Sequence, residues 1–314
     1  MHFLPTIALV LAGVLLLTGC VNPGLKTQPV KGKTYTAELV IPEHTGALHR
    51  TRFVLAGWVE RMHFRQRNQN VFCRGEIFPY GRRSKQLVYG CATEFMPSLV
   101  LQEPAKRRRF ERALKVGVGV IEQRRNYKPD CKKVTLFPWT IEHDGDRIIY
   151  RQVCPPVEGY AYRLTVTVTT SPQSSAIDEQ FLLENTGTRD LTCSQFVHPF
   201  LPHSEKSFYL LPRLRDGVPD FTPTPVPQKN SPEVDILSKD IPEGANFVTA
   251  YPFGLQRPCL TIRGDHPLEK SHLWVHQSPK VFAVEPFHRI DLKPGQSTNW
   301  SWNISTDPPP VPSK

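Results

Sequence analysis

The sequence predicts an all-β fold, a large sandwich or barrel of antiparallel sheets, on three observations. Period-two alternation of apolar and polar residues recurs along the chain, Pro, Gly, Asn and Asp punctuate it, and helical periodicity is almost absent. The 31 prolines in 314 residues leave little room for long helices and exclude a helical bundle or coiled coil. A hydrophobic fraction of 39% with 22% charged residues is ordinary for a globular chain and excludes wholesale disorder.

The chain opens with an address. Residues 3–17 are an uncharged apolar run, too short to span a bilayer comfortably and typical of a signal-peptide core. It ends in Leu17-Thr18-Gly19-Cys20, which resembles the lipobox of bacterial lipoproteins: a branched aliphatic, two small residues, then cysteine. On that reading residues 1–19 are removed and Cys20 carries the lipid. The alternative is an ordinary secretory signal with an incidental cysteine, and the early segment offers only His2, with no Lys or Arg. Val21, being other than Asp, favours the outer membrane, with the chain facing the periplasm. Residues 20–33 follow as a tether without periodic hydrophobics.

The folded part is expected over 34–306. In 34–42, Tyr35, Ala37, Leu39 and Ile41 alternate with Thr36, Glu38 and Val40. In 160–169, Tyr160, Tyr162, Leu164, Val166 and Val168 alternate with Ala161, Arg163, Thr165, Thr167 and Thr169, the signature of a half-buried strand. Shorter runs predict strands at 179–184, 191–197, 207–211, 246–251, 259–263, 272–276, 280–285 and 298–304. One helix is expected around Arg107–Val116, between Pro104 and Gly117. The proline-rich stretch 216–245 reads as a long excursion from the sheets, and 307–314 as a proline-rich tail.

Beyond Cys20, the cysteines are Cys73, Cys91, Cys131, Cys154, Cys193 and Cys259, an even number in a chain with an export signal. None lies in a C-x-x-C pair, so zinc and thioredoxin-like chemistry are poor readings and disulfides are expected. Proximity in sequence suggests Cys73–Cys91 and Cys131–Cys154, leaving Cys193–Cys259, among 15 possible connectivities. Charge is uneven. The chain is +10 overall, whereas 50–133 holds 20 Lys and Arg against 7 Asp and Glu, a net of +13. Such a face suits anionic lipid or an acidic polysaccharide, or is simply solvated. Nucleic acid is a poor partner for a chain that leaves the cytoplasm.

Several chemistries are unsupported. Gly117-Val118-Gly119 lacks the third glycine and following helix of a dinucleotide fingerprint, and no G-x-S-x-G elbow occurs. His272 and His276 are spaced as a helical metal pair, but on a strand they stand roughly 13 Å apart. No metal or cofactor is expected.

Two segments say more. In 183–201, Asn185-Thr186-Gly187 precedes a strand that ends His198-Pro199-Phe200. In 280–302, Val284-Glu285-Pro286 is followed by Leu292-Lys293-Pro294-Gly295 and a final strand. With Gly90-Cys91-Ala92-Thr93-Glu94-Phe95, and Leu114–Val120 followed by Phe137-Pro138-Trp139, these resemble the galactose mutarotase-like superfamily, which includes the aldose 1-epimerases. The resemblance implies a β-supersandwich and a carbohydrate partner. It also implies mutarotation, in which a base takes the anomeric hydroxyl proton while an acid protonates the ring oxygen. Matched by motif, His198 is the acid and Glu285 the base, with Glu94 and His63 as substrate-binding candidates. No glycine adjoins His63 as it does the family's earlier histidine, and the Asp that grips sugar hydroxyls has no obvious counterpart. Three functions stay open: an epimerase-like enzyme, a non-catalytic carbohydrate-binding envelope lipoprotein, and a structural lipoprotein. The enzyme requires His198 and Glu285 to face one cleft with room for a sugar ring between them.

Overall fold

The computed structural model describes residues 25–45, 52–65, 69–77, 86–101, 110–124, 128–228, 234–255, 259–277 and 280–309. Cys20 and its lipobox therefore lie outside the described residues. Two large antiparallel sheets share one core of buried side chains. The ten-stranded sheet runs, in spatial order, Leu25–Lys31, Tyr35–Thr45, Val54–Phe64, Cys91–Met96, Leu191–Pro199, Lys280–Leu292, Lys270–Gln277 and Val234–Leu237, with two short strands at its sides. The nine-stranded sheet runs Trp139–Asp144, Arg147–Val157, Tyr160–Thr170, Ala176–Asn185, Ser297–Ser305, Leu260–Gly264, Phe247–Tyr251, Phe208–Leu210 and Thr224–Pro225. A four-stranded sheet of Lys128–Leu136, Gly119–Arg124, Phe110–Lys115 and Leu99–Val100 completes the main architecture. No helix among the described residues is long and apolar enough to cross a membrane.

Alternation explains the layers. In Tyr160–Thr170, Tyr162, Leu164, Val166 and Val168 are buried while Arg163 faces water. Val54, Val59 and Met62 of one sheet meet Val166, Phe181, Trp300 and Ile304 of the other in the same cluster. Each buried leucine- or valine-sized side chain contributes about 1.5–3 kcal/mol. Polar links also cross between the sheets, Tyr35 Oη donating to the Ala176 carbonyl at 2.9 Å among them. The Trp300 and Trp302 indoles donate to Gln195 Oε1 at 3.1 and 2.5 Å, joining the sheets at the strand that ends in His198.

Two expectations are corrected. The helix placed at 107–116 is, over its described part, the strand Phe110–Lys115, paired with Gly119–Arg124 and Leu99–Val100. Ala113, Leu114 and Lys115 are all fully buried, so both faces of the strand are covered and simple alternation is lost. The excursion at 216–245 returns Val218–Asp220, Thr224–Pro225 and Val234–Leu237 to pairing, the last two at sheet edges where proline is tolerated. Among the described residues no disulfide is present: Cys73, Cys91, Cys154, Cys193 and Cys259 are free thiols. Cys91 points into the intersheet core, whereas Cys73 packs with Ala92 and Phe200 on the opposite face. Cys193 lies in that core and Cys259 in a separate cluster with Leu210 and Phe247. The Cys131 side chain, expected opposite Cys154, lies outside the described residues.

Candidate functional site

Parity on three neighbouring strands decides which residues share a face. In Leu191–Pro199, Cys193 and Val197 point into the core, so Phe196 and His198 point outward. In Lys280–Leu292, Phe282, Val284 and Ile290 point inward, leaving Glu285 and Phe287 outward. In Cys91–Met96, Cys91 and Phe95 point inward, leaving Ala92 and Glu94 outward. Register then aligns them, because Phe196 pairs with both Phe287 and Glu94, and His198 with Ala92.

His198 and Glu285 are therefore brought together, as the sequence suggested, but in direct contact. His198 Nε2 lies 3.2 Å from Glu285 Oε1, with the residues 3% and 5% exposed. The gap expected for a sugar ring is absent, because the two residues are cross-strand neighbours on adjacent strands. Rings enclose the imidazole: Phe200 stacks on it at 4.2 Å, and Phe53 and Trp274 meet it edge-on at 5.4 and 5.6 Å. Burial pushes His198 well below the ordinary imidazole value, and the positive charges of Arg52 and then His272 push it further. The ring is accordingly neutral at pH 7. Its Nδ1 has no hydrogen-bond partner among the described residues.

Glu94 is on the same face and fully buried, held by Lys115 Nζ at 2.5 Å and Arg52 at 3.1 Å. Arg52 also lies over the Phe53 ring, 4.8 Å from its centroid, and so caps the same aromatic cluster. A tight turn sets the height of the Glu94 strand. Gly90 adopts φ +75°, and a Cβ there would fall 2.2 Å from the Val59 carbonyl oxygen. His63 is not brought to the site. It pairs with Thr36 and Asn70, four residues along its strand from Val59, the partner of Cys91. That is roughly 13 Å of extended chain.

Four contributors escaped the sequence reading. Lys115 announced itself only as a single charge among apolar neighbours, and Arg52 was lost within the basic stretch. His272 faces Glu285 across the strands, and Asp235 faces His272, with Asp235 Oδ1 2.9 Å from His272 Nδ1. Asp235 fell inside the segment read as an excursion. Asn185, quoted for its resemblance, is structural: its Nδ2 donates to the Arg189 and Leu292 carbonyls, and its Oδ1 accepts from Gly187 N. Beyond Phe53 lies a cavity of about 290 Å³ lined by Leu55, Val118, Phe137 and Trp139. Among the described residues no three His, Cys, Asp or Glu side chains converge as a metal set.

No family model and no curated protein matches the sequence. Solved structures do match the fold. A galactose mutarotase related enzyme from Lactobacillus acidophilus superposes with a TM-score of 0.55 at 7% identity, covering 89% of this chain and 97% of that one. A candidate aldose 1-epimerase from Escherichia coli K12 gives 0.55 at 14% identity, covering 90% and 99%. A galactose mutarotase-like protein from Lactobacillus casei gives 0.52 at 10% identity, covering 89% and 99%. The chain has the galactose mutarotase-like fold, an all-β sandwich of large antiparallel sheets.

Proposed function

We propose that this protein is a carbohydrate-binding envelope lipoprotein, tethered through Cys20, whose outward face around Trp274 and His198 holds a sugar without turning it over. The observation that carries this reading is the 3.2 Å contact between His198 and Glu285. Mutarotation needs an acid at the ring oxygen and a base at the anomeric hydroxyl, each within hydrogen-bond reach of the sugar. A neutral imidazole whose Nε2 is engaged by the carboxylate supplies neither. Binding asks less: aromatic rings with a few fixed polar groups beside them. Trp274, partly exposed over His198, Arg52 at the rim of the aromatic cluster, and Phe53 suit that task. The net +13 of residues 50–133 favours an acidic glycan.

A sugar titration followed by tryptophan fluorescence, with neutral and uronic-acid oligosaccharides, tests the reading. Saturable quenching is expected, with affinity falling at least tenfold in Trp274→Ala. An unchanged Trp274→Ala isotherm, or no response to any glycan, would sink it. For the anchor, Cys20→Ser is expected to lose lipid and leave the detergent phase. Partitioning like the wild type would refute the lipoprotein assignment.

The enzymatic reading retains one favourable observation: an imidazole and a carboxylate meet on one face from neighbouring strands, at positions the motifs single out. It requires sugar to enter between them, and the anomer-exchange measurement that closes the Discussion decides the matter.

A further inference from the structure

Four ionisable residues stand in one row across four adjacent strands: Asp235, His272, Glu285 and His198. Asp235 pairs in register with His272, and His272 with Glu285. Glu285 touches His198. Burial deepens along the row, with side chains 47%, 10%, 6% and 4% exposed. Only its outer end meets water freely. The sheet's outward parity places all four side chains on the same face.

We propose that His272, oriented by Asp235, is a positioning residue for the buried pair, its proton holding Glu285 as a carboxylate aimed at His198. The inference concerns the same face as the sugar-binding reading and deepens it, but is tested without sugar. The chemistry follows from the neighbours. Asp235 Oδ1 takes the hydrogen bond of His272 Nδ1 at 2.9 Å, fixing the ring and favouring its charged form. Glu285, directly opposite on the next strand, favours it too. Against it stand Lys270, whose Nζ shares Asp235 Oδ1 at 2.9 Å, the burial of His272 itself, and Arg52 near His198. Burial acts to raise Asp235, yet its contacts with Lys270 and His272 hold it below the usual carboxylate range, so the anchoring charge persists at neutral pH. An imidazolium beside Glu285 offsets the cost of an ionised carboxylate at that depth, and disfavours a second positive charge on His198. When His272 loses its proton, the positive charge facing Glu285 across the strands falls, and the ionised carboxylate is less well supported at that depth.

Histidine-selective ¹⁵N NMR of the full chain between pH 5 and 9, with signals assigned by single His→Gln variants, reads this directly. Wild-type His272 is expected to titrate above the unperturbed imidazole value of about 6.5. Asp235→Asn is expected to weaken its proton affinity about tenfold, and Asp235→Glu to restore it. In His272→Gln the His198 Nε2 signal is expected to change, because its carboxylate partner has lost the charge that faced it. An unaltered His272 midpoint in Asp235→Asn, or identical His198 spectra with and without His272, would overturn the proposal. Asp235 is half-exposed, so its variants keep the test available should His272→Gln fold poorly. Lost sugar binding with these signals intact counts against the sugar reading alone.

Discussion

Glu179 is a carboxyl set in the middle of the intersheet core, and burial pushes it up to about 8 from the ordinary 4.5. Its Oε2 has no hydrogen-bond partner among the described residues. Gly57, at φ +76°, makes room for it, since a Cβ there would lie 3.0 Å from Oε1. The folded state thus binds a proton that the unfolded state releases. Stability from this group is complete below about pH 4.5 and is lost as pH rises toward 8, a cost of about 3 kcal/mol by pH 7. Glu179→Gln removes the titration while nearly conserving volume. Its stability relative to wild type is expected to improve by roughly 2–4 kcal/mol between pH 4.5 and pH 8, measured by urea unfolding. A pH-independent difference would contradict the assignment. His198 runs the other way: its folded value is depressed, so stability is complete above about pH 6.5 and erodes as pH falls below it. His198 and Glu285 were singled out in the sequence by the resemblance of their motifs. Their direct contact was not, because it depends on which strands become neighbours, and no local pattern records that.

At the scale of elements, period-two runs located several strands with one face buried and the other wet, although Arg147–Val157, which alternates in the same way, was passed over. Tyr160–Thr170 and Ser297–Ser305 were visible in this way. Strands covered on both sides were harder to read. Phe110–Lys115 looked helical because Lys115, fully buried, interrupts the alternation to reach Glu94. The strand Leu191–Pro199 has two roles, carrying His198 on one face and Gln195 on the other. Gln195→Leu would leave two buried indole N–H groups without their acceptor, each costing about 1–3 kcal/mol. A loss of roughly 2–4 kcal/mol is expected in equilibrium unfolding, with the denaturant slope unchanged. A change under about 0.5 kcal/mol would show that the indoles find other partners. The asparagine turn offers a parallel case. Asn185 donates to the Arg189 and Leu292 carbonyls and so ties its turn to the end of the neighbouring sheet's strand, a structural role that needs no chemistry.

The whole molecule is a mutarotase-like sandwich whose expected reaction centre is closed by its own aromatic side chains. The overall class was legible because proline content and alternation exclude most alternatives. An even cysteine count, by contrast, says nothing about which faces the thiols occupy. Cys91 and Cys73 are separated by the sheet itself, and burial pushes Cys73, Cys154 and Cys193 up to about 12. Thiol titration of denatured, unreduced protein is therefore expected to find at least these five free cysteines, and fewer would contradict the packing described. The central claim is that the His198–Glu285 face holds sugar without acting on it. Two-dimensional exchange NMR of aldoses and uronic acids with the protein reports both properties at once. Binding broadens the sugar resonances, and catalysis builds cross-peaks between α and β anomers. The account predicts broadening that Trp274→Ala removes, with anomer exchange no faster than in buffer. Accelerated exchange that disappears in His198→Asn and Glu285→Gln would contradict it and assign the pair as a working acid and base.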